Sequence, residues 1–205
     1  RFRVLVLPCV ACLSDRQCAQ IRRFVQNGGS LVATFETSLF DENGARRSDF
    51  GLGDLFGVKA AGPAQGPMKN SYLRLDKSAG HPLLAGFEEA SRVINGTWRV
   101  PVHPIAEFPV RPVLFVEPYP DLPMEEVYPR DLHKNVPEVY LRESGRSRIA
   151  YFPFDIDRTF WEVMDPDHGR LIANAVRWAA RDDIPVRVEG KGVLDVTVWR
   201  QRNSL

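Results

Sequence analysis

The chain is predicted to fold as an open, mainly parallel α/β sheet with helices on both faces. Three features point there: an apolar strand-like run at residues 2–7, a capped amphipathic helix directly after it, and a second apolar run at residues 30–35. Strand, helix and strand within about 35 residues make a βαβ unit, whose crossover is right-handed in a parallel sheet.

The first run is short, β-branched and Leu-rich, and Pro8 ends it, as expected of a strand buried on both faces. Ser14 with Gln17 three residues later forms a capping box. Cys18, Ile21, Phe24 and Val25 then share one helical face, and Gly28-Gly29 supplies a left-handed stop. Residues 49–56 are expected to form a short helix, and the Gly, Ala and Pro of residues 57–69 a surface loop. Strand-like runs recur at 71–75, 93–102, 113–117, 138–142 and 148–152. Residues 118–137 carry five prolines among acidic residues and are expected to form an exposed lid or interface arm, with Met124, Tyr128 and Leu132 available for contacts. A last helix is expected over 167–181, capped by Asp165 or Asp167, with Leu171, Ile172, Ala175, Trp178 and Ala179 as its apolar stripe. Ile184-Pro185 breaks away, and an alternating hairpin turning near residues 190–192 suits the start of a small β domain, so a boundary is placed at residue 183: one domain over 1–183, the next beginning at 184–205.

Composition narrows the function classes. The 27 basic and 26 acidic side chains leave a formal net charge of +1, which gives no reason to invoke nucleic acid. No run approaches the roughly 18 apolar residues a membrane span needs. The chain opens on Arg1 and a strand with no leader, and ends soon after another strand-like run, so it reads as part of a longer protein. Cys9, Cys12 and Cys18 lie too close together for a secreted disulfide framework, which favours a reducing, cytoplasmic setting.

In an open parallel sheet, ligands bind beyond the carboxyl ends of the strands. Three segments meet that rule. The first holds Cys9 and Cys12, a CxxC spacing whose helix cap, Ser14, lies beyond both thiols; buried structural thiols are the simpler reading, and neither a metal site nor a cofactor is expected. The second holds Glu36, Thr37 and Ser38 at a strand-to-helix corner of the kind that carries nucleophiles, but without flanking glycines, and His81, His103, His133 and His168 all fall in loop- or cap-like contexts. The third holds Asp155, Asp157 and Arg158. Carboxylates two apart on an extended chain point to opposite faces, so capping and ion pairing compete with a sugar contact, for which Phe160 and Trp161 would be the stacking partners. Asn95-Gly-Thr97 is a glycosylation tripeptide of the kind that arises by chance.

Leu13-Ser-Asp15, residues 24–29, the run Leu31-Val-Ala-Thr-Phe-Glu-Thr-Ser38, Asp41-Glu-Asn-Gly44, His81-Pro-Leu-Leu-Ala-Gly-Phe87, Tyr151-Phe-Pro153 and the Trp178 helix together resemble the trimerisation domain of bacterial β-galactosidases. The resemblance covers most of residues 1–183. It implies a class I glutamine amidotransferase-like, flavodoxin-like fold that follows a (β/α)8 glycosidase barrel and precedes a small β domain. It implies a noncatalytic oligomerisation or scaffold role, with the barrel of the same polypeptide and further copies of the chain as partners, and carbohydrate as a possible ligand. Amidotransferases of this fold place a Cys nucleophile at the elbow and a His after a late strand. Here those corners hold Glu36-Thr-Ser38 and Asp155-Ile-Asp157, so no catalytic residue is carried over. The rival expectation is a small hydrolase or amidotransferase-like enzyme acting at those same corners.

Overall fold

The computed structural model describes residues 2–119, 123, 135–184, 186–188 and 195–199. β1 (Val4–Leu7), α1 (Asp15–Gln26) and β2 (Ser30–Thr34) form the expected βαβ unit. The capping box is present: Gln17 N–H donates to Ser14 Oγ at 3.2 Å, and Ser14 N–H donates to Gln17 Oε1 at 2.8 Å. At the other end Gly28 takes φ +89°, and a Cβ on Gly29 would stand 2.3 Å from the Phe24 ring. Both glycines are therefore required, one by backbone conformation and one by close approach.

β1 and β2 pair in parallel, and β2 pairs in parallel with β9 (Ser147–Phe152), Leu31 opposite Ile149 and Thr34 opposite Phe152. β8 (Tyr140–Ser144) is antiparallel to β9 across a two-residue turn opened by Gly145 at φ +58°. The order is β1-β2-β9-β8. Because side chains alternate across a strand, both faces of this sheet are apolar. Leu31, Ala33, Ile149, Tyr151 and Tyr140 pack with α1 and with α2 (Gly53–Phe56), while Val32, Ala150, Phe152 and Leu141 pack with α4 (Pro166–Ala179). The expected α/β class with helices on both faces is the one observed. α4 begins with Pro166 in its first turn, and the Asp165 carboxylate accepts from Asp167 N–H at 2.9 Å.

Four differences from the sequence reading share a cause. The single strand expected over 93–102 is two, β5 (Arg92–Ile94) and β6 (Val102–Pro104), which belong to different sheets. Between them the chain crosses the end of the main sheet, where a Cβ on Gly96 would stand 2.4 Å from Asp155 Oδ1. The expected loop over 57–69 contains β3 (Val58–Ala60), paired antiparallel with β6. β4 (Tyr72–Leu75) lies between β5 and β7 (Val113–Val116) in a three-stranded antiparallel sheet that packs under α4. After β9, where the sequence suggested only a corner, the chain forms α3 (Ile156–Val163), whose N-cap Asp155 makes no side-chain cap bond. All four depend on partners distant in sequence. The hairpin expected over 184–205, with its turn at 190–192, lies largely outside the described residues, as does most of 118–137.

One ion pair sits inside the fold. Arg99 Nε and Nη2 donate to the two oxygens of Glu138 at 2.8 and 2.9 Å, with side-chain exposures of 8% and 0%. The Arg99 guanidinium also lies 4.1 Å above the Phe115 ring centroid. Burial pushes the Glu138 carboxyl above its ordinary range, against the pull of Arg99.

Candidate functional site

The carboxyl ends of β1, β2 and β9 do converge. Thr34 Oγ, at the end of β2, accepts from Cys9 N–H at 2.8 Å and donates to Asp157 Oδ1 at 2.7 Å, so one hydroxyl ties all three corners together. Phe35 N–H donates to Phe152 carbonyl at 2.7 Å, and Tyr151 Oη donates to Phe35 carbonyl at 2.6 Å. Three non-glycine residues here adopt left-handed backbone: Cys9 (φ 42°), Phe35 (φ 47°) and Ser38 (φ 67°). Such conformations cost about 1–2 kcal/mol each and persist only where surrounding contacts enforce them. The sharp corner after β2 is therefore real, and its strained positions are Phe35 and Ser38.

The six residues singled out in the sequence divide into two sets. Thr37, Ser38 and Asp155 are closed to solvent, at 0%, 0% and 1% exposure. Thr37 Oγ donates to Thr34 carbonyl at 2.7 Å and lies 3.1 Å from Leu7 carbonyl. Ser38 Oγ accepts from Leu52 N–H at 3.0 Å. Asp155 Oδ1 accepts from Trp98 N–H at 2.9 Å, and Asp155 N–H donates to Trp98 carbonyl at 3.0 Å, so this carboxylate fastens the crossing segment to the sheet. Glu36, Asp157 and Arg158 reach solvent. Arg158 turns along α3 to pair with Glu162 at 2.8 Å.

Electrostatics at the rim are acidic. Burial raises the Glu36 carboxyl, with Arg46 opposing, and burial likewise raises Asp155. The Cys9 thiol is pushed up to about 11 by burial, with the Asp157, Glu36 and Asp155 carboxylates adding to it. This is the opposite of an activated cysteine, which sits in a positive environment. All three cysteines are free thiols, and only Cys12 is exposed. At pH 8 roughly one Cys9 in a thousand is thiolate, so alkylation with iodoacetamide is expected to modify Cys12 first and Cys9 far more slowly. Peptide mass spectrometry over a time course checks this; equal rates would contradict the buried-thiol reading.

The described histidines lie elsewhere, and His133 falls outside the described residues. His168 Nε2 is 2.8 Å from Ile94 carbonyl inside the core, in the first turn of α4 just after its cap Asp165. His81 Nδ1 accepts from Leu83 N–H, capping a 3-10 turn at Pro82–Leu84, and His103 lies on β6. Among the described residues, none of these imidazoles is hydrogen-bonded to Ser38, Thr37 or a cysteine, and no group of three or more His, Cys, Asp or Glu could hold a metal ion. No helix among them is long and apolar enough to cross a membrane.

Sequence reasoning missed the polar cluster beneath the crossing segment. Asn95 Nδ2 donates to Ser71 Oγ at 3.1 Å and its side chain also reaches Glu138, which holds Arg99. With Asn95 only 3% exposed, the glycosylation tripeptide is closed in the folded chain. The signal available was a charge inside each of two apolar runs, Arg99 between Trp98 and Val100 and Glu138 between Pro137 and Val139.

Residues 1–62 match the family described as the β-galactosidase trimerisation domain. β-Galactosidase BbgII of Bifidobacterium bifidum is 48% identical over 42 residues, which is 20% of this chain and 6% of that protein. In fold, the chain is similar to β-galactosidases from Bacillus circulans sp. alkalophilus (TM-score 0.61, 18% identity) and Rahnella sp. R3 (TM-score 0.60, 14% identity), in each case over 87% of this chain. It spans only 23% of either solved structure. The sequence of its first 62 residues is thus similar to the β-galactosidase trimerisation domain, and its fold over most of its length is similar to part of the β-galactosidases.

Proposed function

We propose that this chain is the noncatalytic assembly domain of a glycoside hydrolase of the β-galactosidase kind, whose catalytic barrel lies in a part of the polypeptide outside these residues. The observation that supports this most directly is the occupation of the two catalytic corners. Where an active relative would need a nucleophile beside a base, Ser38 and Thr37 spend their hydroxyls on backbone groups, and Asp155 holds the Trp98 backbone. The chain also spans about a quarter of each solved β-galactosidase it resembles. Homo-oligomerisation is the contact function this reading assigns, with residues 118–137 as the first segment to probe and residue 183 as the domain boundary. Of the six rim residues, a carbohydrate contact could rest only on Glu36, Asp157 and Arg158, because the other three are closed to solvent.

The test compares the full-length polypeptide with a version lacking residues 118–137, by sedimentation velocity and by hydrolysis of nitrophenyl β-galactoside. A lower mass with the barrel still folded supports the assignment. An unchanged oligomer removes the segment from the interface. Hydrolysis surviving inactivation of the barrel's carboxylates would overturn the noncatalytic reading.

A further inference from the structure

The end of the sheet opposite the rim carries a concavity that the assembly reading leaves unused. Its volume is about 420 Å³, and four arginines, Arg148, Arg177, Arg181 and Arg187, line it together with Asp182 and Trp178. Arg177 lies in the last turn of α4 and Arg181 just beyond its carboxyl end, and both line the cavity. Arg181 and Asp182 both take φ 56°, turning the chain so that Arg187 returns to the same cavity. Arg148 enters from the start of β9, roughly 13 Å along the strand from the Phe152 end, where the rim lies.

Local contacts explain part of this charge. Arg148 Nη1 donates to Trp178 carbonyl at 2.9 Å, its Nε donates to Glu143 at 3.0 Å, and its guanidinium lies 5.2 Å from the Trp178 ring centroid. A cation at a helix carboxyl end is stabilised by the helix dipole. Arg187 pairs with Asp182, and Arg181 Nη2 donates to Arg146 carbonyl at 3.2 Å. Two carboxylates, Asp182 and Glu143, therefore accompany four arginines. The Arg177 side chain makes no hydrogen bond or ion pair among the described residues, although its carbonyl accepts from Asp182 N–H at 2.8 Å. Each of the other three retains N–H groups beyond those donated. Pro82 and Ala85 form an apolar wall beside them.

We propose that this cavity binds a phosphate group, either free or as the monoester of a sugar, with Arg177 and Arg181 as its principal ligands and Arg148 as a fixed third. The planar guanidinium fork matches a tetrahedral oxyanion in geometry and charge. The volume falls within the range of small-molecule sites. The proposal stands independently of the assembly function.

Isothermal titration of the full-length protein at constant ionic strength tests it, with inorganic phosphate in one arm and glucose 6-phosphate in the other. Saturable binding is expected in at least one arm. The double variant R177A/R181A, at two exposed side chains, is expected to weaken it at least tenfold, while R16A/R23A on the exposed face of α1 leaves it unchanged. Tighter binding of the sugar phosphate assigns the sugar to the Pro82 and Ala85 wall; equal binding assigns the anion alone. Absence of saturable binding in both arms, or equal affinity in wild type and R177A/R181A, overturns the site.

Discussion

Replacing Glu138 with alanine is expected to destabilise the fold by about 3–5 kcal/mol, because it leaves the Arg99 guanidinium buried without a counter-charge. Small domains have total stabilities of about 5–15 kcal/mol, so the loss removes a large share of what holds the chain folded. The effect exceeds that of a surface pair because neither side chain can turn to water, and because Arg99 is also held over Phe115. Urea denaturation of E138A should show a midpoint well below wild type with an unchanged slope. The double variant R99M/E138L separates the cost of an orphaned charge from the worth of the pair, and should recover most of the loss. An E138A midpoint close to wild type would mean that water reaches this pair.

Tyr151→Ala is the second large effect, at about 3–5 kcal/mol for deleting a buried aromatic side chain. Tyr151 is completely buried. Its ring stacks on Phe56 at 4.4 Å between centroids and meets Phe50 edge-on at 5.5 Å. Its hydroxyl donates to the carbonyl of Phe35, a left-handed residue at the corner after β2. Tyr151→Phe keeps the packing and removes only that bond, so a smaller loss of about 1–2 kcal/mol is expected from the unpaired carbonyl. Denaturation midpoints of Y151A and Y151F against wild type measure both. If Y151F matched wild type, the hydroxyl would not be what holds the strained corner.

These two experiments probe the features least visible in the sequence. Arg99 and Glu138 are 39 positions apart, and Tyr151 reaches Phe35 across 116. The candidate corners themselves were legible, because the strands β1, β2 and β9 could be read from their apolar runs and the carboxyl-end rule then names the loops. What those loops do was not. Thr37, Ser38 and Asp155 carry chemistry-bearing groups in both a catalytic and a structural role, and only their hydrogen-bond partners distinguish the two.

The amino-acid sequence alone determined the elements whose causes are local. The capping box and the glycine stop bound α1, Asp165-Pro166 starts α4, and apolar runs place the parallel strands. Each of these depends on residues within a few positions of one another. Only the tertiary structure decided that residues 93–102 split between two sheets, that β3 finds a partner in β6, and that the corner after β9 becomes α3. It likewise decided that four arginines scattered from 148 to 187 face one cavity. The reason is physical: a strand edge, a buried charge or a crowded cavity acquires its energy from groups that are brought together only when the chain folds.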